Sequence, residues 1–70
     1  MGKVKESYPY IINVGVEKDN LQPYLASPTK KAGIKDAEQA LQFYTYTEVV
    51  YMPEHDVDIN KVVWRSWEGK

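Results

Sequence analysis

The sequence predicts a small two-layer α+β domain in the order ββαββ, an antiparallel sheet of about four strands with one short helix on one face. Three observations predict it. Residues 8–17, YPYIINVGVE, alternate with period two; apolar residues recur at helical spacing from Ile34; and TYTEVVYM (45–52) and KVVWRSW (61–67) return to β-branched and aromatic side chains. No repeat, linker or shift in composition divides the chain, which reads as one domain, 1–70, with frayed ends at 1–6 and 68–70.

In the first strand Tyr8, Tyr10, Ile12, Val14 and Val16 share one face, and Pro9, Ile11, Asn13 and Gly15 the other. Pro9 cannot donate to a ladder, so the strand begins there or lies at an edge. Gly15 marks a bulge or a close backbone approach. EKDN (17–20) is a turn by composition. It leads into LQPYLA (21–26), a second strand that Pro23 confines to an edge; the alternative is an irregular segment there. SPTKKAG (27–33) reads as a connector with one helical turn at Ser27-Pro28, ended by Gly33. The helix proper follows. Ile34, Ala37, Ala40, Leu41 and Tyr44 form its apolar stripe, Lys35, Glu38, Gln39 and Gln42 face away, and Asp36 with Gln39 fits a capping box. The second hairpin follows from the Val, Tyr, Thr and Trp content of 45–52 and 61–67. The expected core is Ile12, Val14, Ala37, Leu41, Val50, Val62 and Trp64.

Hydrophobic residues make up 43% of the chain and charged residues 27%, which is the balance of a folded domain. The chain has no cysteine, so disulfides and thiolate zinc sites are excluded. It has no apolar run long enough for a signal peptide or a membrane span. The expectation is therefore a cytoplasmic protein, complete as a small reading frame, with no membrane partner.

The densest group of potential ligands is MPEHDVDINKVVW (52–64), where Glu54, His55, Asp56, Asp58 and Asn60 fall within seven positions. Asp56, Asp58 and Asn60 open like a calcium-binding EF-hand loop. The loop then has Lys61 where the sharp turn needs Gly and Trp67 where a bidentate Glu is needed. Zinc or manganese on His55 would need ligands from other elements, because neighbouring side chains on an extended chain point apart. A polar turn between two strands accounts for every residue of the stretch, with Pro53 ending the first strand. No metal and no cofactor is expected. Catalysis is not expected either: the single histidine, His55, has no serine in an ordered relation to it, the acids cluster on a turn, and the phosphate-loop pattern is absent.

Two non-enzymatic readings remain. Aromatic residues reach 13%, six of them Tyr, and these are side chains suited to half-wet contact surfaces. One short helix covers one face of a four-strand sheet, yet VVYM and VVW look apolar on both faces. Tyr24, Tyr51, Val63 and Trp67 would then expose about 500 Å² on the uncovered face, the upper end for an ordinary monomer. A protein interface follows, most simply a homodimer's, because a partner subunit is the staple left to a small domain without disulfides or metal. By its size the chain suits a small accessory protein or inhibitor, of phage type, that docks on a larger protein. The alternative is a dimeric nucleic-acid-binding regulator using Lys30, Lys31 and Lys35, with aromatics available to stack bases. Residues 1–35 carry a net +3 and residues 36–70 a net −4, so the acidic half would repel phosphate while allowing head-to-tail pairing of two copies.

Overall fold

A computed structural model describes residues 8–53 and 60–68. The order is ββαββ: β1 (Tyr10–Gly15), β2 (Gln22–Ser27), α1 (Lys30–Ala40), β3 (Tyr46–Tyr51) and β4 (Lys61–Arg65). All neighbouring strands are antiparallel, in the spatial order β2-β1-β3-β4. Residues 21–26 therefore supply a strand, and Pro23 lies on the sheet edge where its missing N–H is tolerated. β2 and β3 both pair with β1, so they run parallel to each other and need a crossover between them. α1 is that crossover, lying against β1, β3 and β2.

The first hairpin closes as its composition requires. Asn20 donates its backbone N–H to the Glu17 carbonyl at 3.1 Å. A Cβ added at Gly15 would lie 2.6 Å from the Asn20 carbonyl oxygen, so Gly15 is the close approach that the sequence signals.

The helix starts earlier than the sequence suggests. Thr29, in an extended conformation, is its N-cap and accepts the Ala32 N–H at 3.1 Å. Asp36 instead accepts the Ser27 hydroxyl at 2.6 Å and fastens the helix to β2. Gly33 lies inside the helix because it crosses the sheet there: an added Cβ would meet Val49 Cγ1 at 3.2 Å and Tyr10 Cβ at 3.5 Å. Beyond Ala40 the chain tightens into a turn, with Leu41, Gln42 and Phe43 donating to the carbonyls three residues back.

The core under the helix is Ile12, Val14, Ala37, Ala40 and Val49, with Tyr10, Ile34, Tyr44, Val63 and Trp64 packed around it. Of the expected core residues, Leu41 is 39% exposed and Val62 36% exposed. Leu41 is the C-cap, still in helical backbone conformation, at the start of the tightened turn. Val62 is displaced by a bulge: β4 pairs Trp64 with Val49 but Val62 with Val50, so Val63 is the extra residue. That irregularity sends Val63 and Trp64 to the helix side and Val62 to the other. Val50 is buried at 5% exposure, but on the face opposite Val49. The predicted turn at Glu54, His55, Asp56 and Asp58 and most of the chain ends lie outside the described residues.

Candidate interaction surfaces

The face of the sheet away from the helix is organised in rows across the strands. Ala26, Ile11, Val50 and Val62 are successive register partners and form an apolar row. The next row is polar. Asn13 Nδ2 donates to Glu48 Oε1 at 3.1 Å, and Arg65 Nε donates to Glu48 Oε2 at 3.2 Å. Arg65 also gives Nη1 to Glu68 Oε2 at 3.1 Å. Hydrogen bonding to Glu48, then to Glu68, raises the proton affinity of a guanidinium that is already always charged. The sequence suggested that VVYM and VVW are apolar on both faces; the row beside Val50 and Val62 is polar, because Asn13, Glu48 and Arg65 come from three strands and meet only through the register.

Beyond the polar row stands an aromatic corner. Tyr46 and Trp67 meet edge to face with centroids 5.4 Å apart, Lys18 lies over both rings at 5.6 and 5.9 Å, and Arg65 lies 5.6 Å from the Trp67 centroid. The turn carrying Trp67 is pinned to β3: Ser66 N–H donates to the Thr47 carbonyl at 2.9 Å and Thr47 N–H to Ser66 Oγ at 3.1 Å. Trp67 thus has its contacts within the chain.

The other residues proposed for one interface are spread over the molecule. Tyr51 stacks against Tyr10 at 5.0 Å on the helix-side row, Val63 packs at the rim of the helix-side core, and Tyr24 meets Tyr44 edge to face at 5.6 Å. Tyr24, Tyr51, Val63 and Trp67 do not share a face.

The sequence gives less warning of the surface around β2. Every residue from Gln22 to Ala26 is exposed, with Tyr24 at 44% and Leu25 at 46%. The Tyr24–Tyr44 contact brings this edge to the turn after α1, where Phe43 is 74% exposed. Phe43 could have been noticed as an apolar residue off the helical stripe, but only the fold places its turn beside Tyr24.

Lys30, Lys31 and Lys35 are brought together. They line, with Ile34 and Glu38, one hollow along α1, and no acid lies in the first helical turn. Among the described residues no three His, Asp or Glu side chains gather in a way that holds a metal ion, and no helix is long and apolar enough to cross a membrane. No family model matches the chain, and neither does a curated protein sequence or a solved structure.

Proposed function

We propose that this domain is a non-enzymatic protein-docking module whose contact surface is the β2 edge with the adjoining turn after α1. The observation that carries the reading is the exposure of three large apolar side chains, Tyr24 and Leu25 on β2 and Phe43 on the turn that the Tyr24–Tyr44 contact brings to that strand, each between two-fifths and three-quarters exposed. Tyr24 offers a rigid aromatic with a polar tip, the side-chain type that concentrates binding energy at interfaces. An edge strand adds main-chain donors and acceptors for an extended partner segment. The role is that of a small accessory protein or inhibitor, of phage type, acting by occupancy.

The test compares the protein with a Leu25→Lys, Phe43→Ser double variant, each immobilised and challenged with lysate of its source. Partners retained by the first and lost by the second support the reading. Retention indifferent to both substitutions overturns it.

A second reading rests on the hollow between Lys30, Lys31 and Lys35. Three ammonium groups on one helix face supply phosphate contacts, and such contacts weaken steeply with salt. Retention on single-stranded DNA or heparin that falls with salt, and that is lost in the Lys30→Glu, Lys35→Glu variant, would support a nucleic-acid regulator.

A further inference from the structure

Two cations stand at the aromatic corner, and their charges are answered differently. Arg65 gives its guanidinium to Glu48 at 3.2 Å and to Glu68 at 3.1 Å. Two carboxylates against one cation leave these side chains with a net negative charge beside Trp67. The Lys18 ammonium lies over the rings of Tyr46 and Trp67 and pairs with no carboxylate among the described residues. What it meets is the angle between two rings set at 87° to each other.

We propose that this corner is a recognition site for a methylated ammonium group, and that Lys18 occupies it when no such ligand is bound. The walls are pre-formed. Tyr46 belongs to β3, and the turn carrying Trp67 is pinned to β3 by the two hydrogen bonds between Ser66 and Thr47. Both rings are half-buried, whereas Lys18 lies exposed on a turn, at the end of a flexible stem. Its nitrogen is 5.6 Å from one centroid and 5.9 Å from the other, close to the ~6 Å limit of a cation–π contact. A bare ammonium is compact and strongly hydrated, so it gains little at that distance. Methyl groups on the nitrogen would fill the gap to both rings and shed water more easily. The surplus carboxylate then favours a cation over a neutral group of the same shape. The corner shares no residue with the docking surface at β2, so either can fail without the other.

The experiment follows the Trp67 indole N–H resonance while choline is added at constant ionic strength. Lys18→Ala changes only an exposed turn residue and vacates the corner. Its apparent dissociation constant for choline is expected to be about three-fold lower than the parent's, or lower still, because an occupying side chain reduces the competent fraction. The uncharged isostere of choline, with carbon in place of nitrogen, is expected to bind the same variant several-fold more weakly. Adding Tyr46→Leu to Lys18→Ala is expected to abolish choline binding. No binding to Lys18→Ala, equal affinity in the parent and the variant, or equal affinity for the two isosteres overturns the proposal, and so does indifference to Tyr46→Leu. Should the Tyr46→Leu protein fail to fold, the isostere comparison on Lys18→Ala decides alone. Trimethyl-lysine amide and phosphocholine separate the two sources of such a group, a protein side chain and a lipid headgroup. Binding of either supports the site, and binding of neither overturns it.

Discussion

Across β1, β3 and β4 the helix-covered face presents Ile12, Val49 and Trp64 in one register row, while the open face presents Asn13, Glu48 and Arg65 in the row beside it. The first row is held by burial, which is large and indifferent to direction: Ile12 and Val49 are fully enclosed. The second is held by directional hydrogen bonds and an ion pair between a partly exposed Arg65 and a mostly buried Glu48, which add less to stability than burial does. The difference lies in what each forbids. A slip of one residue exchanges the two faces of a strand. Such a slip in β3 would turn Glu48 under the helix and Val49 outward, leaving Asn13 and Arg65 without their shared carboxylate. The covered face supplies the stability and the open face fixes the alignment.

Truncating the covered face should have the largest effect. Ile12→Ala leaves a cavity beneath α1 and should cost about 2–5 kcal/mol, much of what a domain this size has. The midpoint of urea unfolding checks it, and a loss under about 1 kcal/mol would remove Ile12 from the centre of the core. On the open face Trp67→Ala removes the Tyr46 contact and should cost only about 1–1.5 kcal/mol. A loss equal to that of Ile12→Ala would break the division between the faces. Thr47 lies on the covered face with Oγ1 buried and without a hydrogen-bond partner. Thr47→Val keeps the shape and removes the orphan hydroxyl, so it should raise stability by about 1 kcal/mol. Unchanged or lower stability would mean that the hydroxyl is satisfied in solution. The smallest effect is at the helix start: Thr29→Ala should cost about 0.5–1 kcal/mol and Gln39→Ala only a few tenths, because Thr29 and not Asp36 with Gln39 forms the cap. The reverse ranking would move the helix start toward Asp36.

The strands were legible in the sequence because alternation and β-branched residues are local signals, and Pro23 announced its edge. The helix start was not. Gly33 looks like a terminator on the chain, and only the approach of Val49 shows that it is an interior glycine chosen for contact. Faces were misjudged in β4 for a similar reason: one extra residue at Val63 reverses the alternation, and nothing local marks the bulge. The polar row escaped notice because Asn13, Glu48 and Arg65 lie on separate strands, and which strands are neighbours is a property of the whole sheet. Tyr24 is exposed, and Phe43, on the turn that the Tyr24–Tyr44 contact brings to β2, carried no local signal beyond being apolar off the helical stripe.

The position of β1 between β2 and β3 bears on the order in which the molecule assembles. Each hairpin joins strands close in sequence and can close quickly on its own. The seam between the hairpins is remote: it aligns Tyr10 with Tyr51 at one end and Gly15 with Tyr46 at the other. Closing so long a loop carries an entropic cost before any of these pairs forms, which makes this ladder the slow step. Of the elements described, α1 touches β1, β2 and β3, and the Ser27–Asp36 hydrogen bond joins it to β2, the strand just before it in sequence. Folding should therefore proceed by the helix settling on the first hairpin and offering Gly33 as the landing point for Val49. Substitutions at Gly33 or Val49 would then slow refolding, whereas those at Trp67 would mainly speed unfolding.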